Sequence, residues 1–127
     1  MLSSKKKSFR LSPEAVDLLS QELAASLTEA EADRKDILRL RLSLEEILES
    51  WISLLPDAPV VFCAKRRMGK QLIEIRVEGK EIRSDDLPES CFLSSRLLSQ
   101  AGLTLTQRYQ NGENCLTVYP PRKHKLG

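Results

Sequence analysis

Several features are scarce in this chain of 127 residues, and each absence excludes a class of protein. No apolar run reaches the ~18–20 residues that cross a bilayer as a helix, so the sequence predicts no membrane span. The lysines near the N-terminus are not followed by an apolar segment, which argues against a secretory signal. Glycine (5) and proline (6) are too few for a collagen-like or low-complexity chain.

Residues that bind metals are scarce as well. The three cysteines, Cys63, Cys91 and Cys115, are widely spaced, and the single histidine, His124, lies in a basic C-terminal segment. A structural zinc site needs four ligands at close spacing, so we expect no metal site. Without an export signal, the expected compartment is the reducing cytoplasm.

Charge is abundant and unevenly distributed. The 20 basic and 18 acidic residues give a net charge of +2. Seven of the cations lie at the two ends of the chain: Lys5, Lys6, Lys7, Arg10, Arg122, Lys123 and Lys125. Without these seven, 13 basic residues face 18 acidic ones, so the body carries a charge of −5.

This distribution predicts one domain between two basic tails. The domain covers 12–121, and the tails are a flexible N-terminal segment, 1–11, and a C-terminal segment, 122–127. Basic tails can contact anionic lipid weakly. An acidic body with only 5% aromatic residues does not favour nucleic-acid binding, so no nucleic-acid partner is expected.

Two helices are predicted in the first half of the domain. Ser12 and Pro13 are typical of a helix start, and apolar residues at helical spacing extend that helix over 13–29. Asp33 can cap a second helix, which Pro56 ends. Its main apolar stripe consists of Leu40, Leu44, Ile47, Leu48, Trp51 and Leu55. Because Leu38, Leu42 and Ile52 widen that stripe, we expect this helix to be buried on more than one side.

Strand patterns dominate the second half. Residues 60–64 and 73–77 predict an antiparallel hairpin, and a helix is predicted over 91–101. A second hairpin follows, with its turn at Asn111 and Gly112. The order α-α-β-β-α-β-β predicts an α+β two-layer sandwich, in which helices cover one apolar face of a mostly antiparallel four-stranded sheet.

The most informative polar residues lie on the second helix. Glu45 and Glu49 are one turn apart, and so are Glu46 and Ser50. Either pair can present two polar groups from one face. A carboxylate on a largely apolar helix suits a general base, although a solvated charged stripe is the other interpretation.

Four arginines are candidate contacts for an acidic protein partner. Arg39 and Arg41 lie on the second helix, and Arg66 and Arg67 lie in the basic turn of the first hairpin. The compact basic turn with Arg66 and Arg67 can attract an acidic surface or phosphate. Charged turns are also common where a hairpin faces solvent.

The segment Leu44–Ile52 resembles the N-box helix of the histidine-kinase-like ATPase superfamily, which has the Bergerat fold. In that family an acid on a long helix is followed four positions later by asparagine. Glu46 matches the acid, and Ser50 stands in place of the asparagine. The resemblance implies that Glu46 polarises the attacking water and that Ser50 lies on the Mg²⁺ side of ATP. It also implies that Asp85 or Asp86 reads the adenine ring.

The glycines that this family places against its nucleotide are missing. Residues 77–86 contain one glycine where the family has Asp-x-Gly-x-Gly, and residues 83–95 contain none where the family has its lid. Backbone that approaches phosphate needs glycine or a helix N-terminus. We therefore expect a degenerate, non-catalytic domain without a cofactor. The alternative is a diverged ATP-binding kinase or ATPase that uses ATP and Mg²⁺.

Two stretches, 36–48 and 109–116, resemble the kinase-like domains that precede sodium:dicarboxylate symporter-like membrane regions in some bacterial proteins. This resemblance implies a cytoplasmic regulatory or interaction domain at the cytoplasmic face of a membrane. Its partner would be another protein or an adjoining membrane domain, with residues 122–125 on the positive inner side. A homodimer also stays open, because related kinases often pair and a four-stranded sheet has exposed edges.

Overall fold

The computed structural model describes residues 4–67, 70–83 and 104–119, which form two helices and one sheet. The helices are α1 (Pro13–Glu29) and α2 (Arg34–Leu54). The strands are β1 (Ser4–Arg10), β2 (Pro59–Arg67), β3 (Lys70–Glu78), β4 (Thr104–Gln110) and β5 (Glu113–Tyr119). The predicted helix over 91–101 lies outside the described residues. No helix among those described is long and apolar enough to cross a membrane.

Both helices begin at the caps that the sequence predicts. The Ser12 hydroxyl accepts a hydrogen bond from the Ala15 N–H at 3.2 Å, and Pro13 opens the first turn of α1. The Asp33 carboxylate accepts from the Lys35 N–H at 3.2 Å. These side chains satisfy N–H groups that the first turn of a helix leaves unpaired.

The sheet is antiparallel throughout the described strands, in the order β1-β2-β3-β5-β4. The turn between β4 and β5 has positive φ at both central residues, 54° at Asn111 and 76° at Gly112. This is the geometry of the two-residue hairpin turn that Asn-Gly favours. The predicted turn is therefore confirmed.

One face of the sheet packs against both helices. The buried apolar strand residues on that face are Val60, Phe62, Ala64, Ile73, Ile75, Val77, Leu116 and Val118. They belong to one core cluster with the apolar stripes of the two helices, which includes the fully buried Trp51. The predicted α+β class, with helices on one apolar face of an antiparallel sheet, is confirmed.

The expected flexible tail over 1–11 is wrong for residues 4–10, which form β1. Phe9 pairs with Val60, and the Leu11 N–H donates to the Ala58 carbonyl at 2.8 Å. The sheet therefore has five described strands instead of four. An edge strand tolerates lysines that would be excluded from a central strand. The sequence of three lysines therefore gave no sign of the strand.

The expected burial of α2 on more than one side is wrong at two of its leucines. Leu38 is 56% exposed and Leu42 is 59% exposed, while Ile52 is half-buried. α1 and the sheet cover the stripe that contains Leu40 and Leu44, whereas the side of α2 that carries Leu38 and Leu42 faces solvent.

Candidate functional site

Glu46 and Ser50 lie side by side on α2, at the margin of its buried stripe. Both side chains are half-buried, next to the buried Ser43 and Ile47. The Ser50 hydroxyl donates a hydrogen bond of 2.6 Å to the carbonyl of Ile47, one turn back in the same helix. The hydroxyl that matches the family's asparagine therefore bonds its own backbone, a common use of serine within helices.

The two arginines of α2 have different environments. Arg41 is half-buried, and its Nε donates to the hydroxyl of the buried Ser20 of α1 at 2.9 Å. Arg41 thus links the two helices, whereas Arg39 is exposed. Of these two arginines, Arg39 is therefore the more accessible to solvent.

The remaining predicted site residues are not brought to α2 by any described contact. Arg66 and Arg67 lie at the end of β2, where their backbones pair with β3, and their side chains lie outside the description. Asp85 and Asp86 also lie outside the described residues. Of the four residues expected at a nucleotide site, the structure therefore describes only Glu46 and Ser50.

Residues 79–83, which follow β3, are held against the β4–β5 hairpin by hydrogen bonds from side chains of the hairpin. Asn114, which is 1% exposed, accepts from the Ile82 N–H and donates to the Lys80 carbonyl, both at 2.9 Å. Gln107 donates to the Ile82 carbonyl at 3.2 Å, and the Tyr109 hydroxyl donates to the Gly79 carbonyl at 3.0 Å. This segment lies within residues 77–86, which correspond to the family's adenine-binding loop. The backbone groups of Gly79, Lys80 and Ile82 named here are hydrogen-bonded within the protein.

Asn114 is a structural residue that the sequence did not reveal. It occupies an inward-facing position of β5, in alternation with the buried Leu116 and Val118. A polar residue at such a position needs a hydrogen-bond partner, because an unpaired buried amide is costly. That break in the alternation was the available signal.

Gly79 allows close packing of the backbone after β3 against the side chain of Leu55. Its φ is +146°, and a Cβ at this position would lie 2.6 Å from Cδ2 of Leu55. A side chain is therefore excluded both by backbone conformation and by the leucine that follows α2. The one glycine of this stretch is used for contact with Leu55.

An ion-pair cluster joins β1 to α1. The Glu22 carboxylate of α1 lies 3.1 Å from Nζ of Lys5 and 2.5 Å from Nζ of Lys7. The hydrogen bond from Lys7, supported by Lys5, lowers the pKa of Glu22 against the opposing effect of its partial burial. The cluster keeps the edge strand against the helix.

The sheet face turned away from the helices carries an ion pair and two cysteines. Glu74 accepts a hydrogen bond from Arg76, and this carboxylate raises the pKa of Arg76. Cys63 and Cys115 are buried free thiols. Burial, followed by the nearby Glu74 carboxylate, raises the pKa of Cys115, so its thiol stays protonated and is a poor nucleophile. Within the described ranges no three His, Cys, Asp or Glu side chains are grouped as metal ligands would be.

The exposed side of α2 combines leucines with charges. We call it the α2 outer face, and it consists of Lys35, Leu38, Arg39, Leu42, Glu45 and Glu49. All are exposed except Glu45, which is half-buried. The cations lie in the N-terminal half of this face and the acids in its C-terminal half.

Comparisons with known proteins add no family assignment. No family model matches the chain, and no curated protein shows significant similarity to it. Because unrelated functions share common folds, function must be argued from the residues themselves.

Proposed function

We propose that this chain is a non-catalytic regulatory or interaction domain, built on a fold related to the histidine-kinase-like ATPases, that works in the cytoplasm by binding a protein. The observation that carries the proposal is the bonding of residues 79–83. Asn114 engages both the Lys80 carbonyl and the Ile82 N–H. A nucleotide that bound there would have to break buried hydrogen bonds, each of which is costly to leave unmade.

The α2 outer face supports the binding half of the proposal. Two leucines more than half exposed, with charges on both sides, are typical of a small contact surface. This face includes Arg39, which the sequence predicts as a partner-binding residue. The resemblance to domains that precede symporter-like membrane regions makes an adjoining membrane domain one candidate partner.

One observation favours the alternative, an ATP-binding kinase or ATPase. Glu46 and Ser50 share a half-buried margin of α2 at the spacing of the N-box. In that alternative Glu46 is the base, Ser50 lies on the Mg²⁺ side, and Asp85 or Asp86 reads adenine. Against it stands the Ser50 hydroxyl, which donates to Ile47.

An ATP titration separates the two functions. Backbone amide NMR spectra of the full chain are recorded with ATP up to millimolar concentration, with and without Mg²⁺, for the native protein and for Glu46→Gln. We expect no saturable shifts at Ser50 or over 79–83. Saturable shifts that strengthen with Mg²⁺ and weaken in Glu46→Gln would overturn the non-catalytic proposal.

A further inference from the structure

We propose that the α2 outer face is a self-association surface, on which a second copy of the chain packs with its α2 antiparallel to the first. The inference rests on the proposed interaction role and names its partner. Two copies related by a twofold axis near Leu42 would bury the same surface on each chain, as in most symmetric homodimers.

The apolar centre of the face is the first support. Leu38 and Leu42 are the two most exposed large hydrophobic residues in the described part of the chain, at 56% and 59%. They are one helical turn apart, so they form one continuous strip. Burial of such a strip in a dimer removes apolar surface from water, which is the main driving force for association.

The charge pattern is the second support, and it selects the partner. Lys35 and Arg39 precede the strip or flank it, while Glu45 and Glu49 follow it. None of these four forms an ion pair with another described residue. A uniformly acidic partner would complement one half of the face and be repelled by the other. A second copy in antiparallel orientation complements both halves.

The spacing of the charges fits one register. Lys35 and Glu49 lie seven residues on either side of Leu42, and Arg39 and Glu45 lie three residues on either side. With Leu42 on the axis, Lys35 faces Glu49 of the second copy and Arg39 faces Glu45 of the second copy. The twofold axis repeats each pair, and the antiparallel helix dipoles also attract.

Sedimentation velocity of the full chain over a micromolar to millimolar series tests the inference. We expect a concentration-dependent dimer whose dissociation constant rises at least ~10-fold in Leu42→Glu, because this change buries a charge at the centre of the interface. The matched control is Leu18→Glu. Leu18 is 47% exposed on α1, outside the face, so its substitution should leave association unchanged.

Charge reversal tests the register. Lys35→Glu should weaken the dimer, and the double variant Lys35→Glu with Glu49→Lys should restore it. Both changes suit the helix itself, since they put an acid near its N-terminus and a cation nearer its C-terminus. Circular dichroism checks that each variant is folded.

Two results would overturn the inference: a chain that stays monomeric over the whole series, or a dimer unaffected by Leu42→Glu. Either result refutes self-association through this face. If ATP also fails to bind, the proposed interaction role still stands, but its partner is not a second copy bound at this face. Saturable ATP binding overturns the interaction role whatever the oligomeric state, so the two failures are distinguishable.

Discussion

At the scale of single residues, the hydrogen bonds of Asn114 are the contacts that hold residues 79–83 in place. Asn114→Ala would leave the Ile82 N–H and the Lys80 carbonyl without their partner. We expect a loss of about 2–3 kcal/mol in the free energy of unfolding, because two buried groups lose their bonds. Urea unfolding, followed by the fluorescence of the single Trp51, measures this loss.

The matched control for this prediction is Gln110→Ala in the neighbouring strand. Gln110 is exposed, and no hydrogen bond of its side chain connects it to another described residue, so its substitution should change stability by no more than about 0.5 kcal/mol. Equal losses in the two variants would show that Asn114 does not secure the segment.

Residue patterns located the candidate positions but not their partners. The helical spacing of Glu46 and Ser50 follows from the sequence alone, and the structure keeps them on one margin of α2. The bond from Ser50 to Ile47 depends on a side-chain rotamer, and the contact of Gly79 with Leu55 joins distant parts of the chain. Local spacing in the sequence specifies neither contact, so the partners of Ser50 and Gly79 could be identified only from the structure.

At the scale of elements, helix ends were predictable because their signals are local. Ser12 and Asp33 cap the helices within three residues, and Pro56 follows the end of α2. β1 was missed because an edge strand is defined by its neighbour. Its residues pair with residues of β2 that lie 49 to 61 positions further along the chain. A local pattern of lysines cannot report such a pairing.

The ion pairs between β1 and α1 predict an effect of pH on stability. The pKa of Glu22 is lowered in the folded state, chiefly by Lys7. Its ion pairs therefore stabilise the fold above the ordinary carboxylate pKa of about 4.3, and this contribution is lost as pH falls through the lowered value. Since both lysines are nearly half exposed, we expect no more than about 1 kcal/mol at neutral pH.

Unfolding free energies of the native chain and of Glu22→Gln, measured between neutral and acid pH, test this expectation. The difference between the two should be largest near neutrality and should shrink in acid. Lys7→Met, which removes the principal partner, should weaken the same acid dependence. Parallel curves for native chain and Glu22→Gln would rule out a stabilising role for the cluster.

At the scale of the whole molecule, the sheet order concentrates stability at its centre. β3 pairs with β2 on one side and β5 on the other, and its residues Ile73, Ile75 and Val77 are fully buried. β1 and β4 each have one partner among the described strands. Hydrophobic alternation predicted the two hairpins separately. The pairing of β3 with β5, which joins the two hairpins, connects residues 35 to 45 positions apart, and no local signal specifies it.

Hydrogen exchange should reveal this gradient, because exchange reports local opening as well as global unfolding. The amides of β3 that bond its neighbours should exchange only through global unfolding. The amides of β1 that bond β2 should exchange at least ~10-fold faster. To open, this edge strand breaks only one ladder of hydrogen bonds and the weak, partly exposed ion pairs of Lys5 and Lys7. Measurement at low protein concentration keeps any dimer from adding protection. Equal protection in β1 and β3 would contradict this expectation. It would mean that β1, despite its lysines, opens only when the core unfolds and belongs to the same cooperative unit.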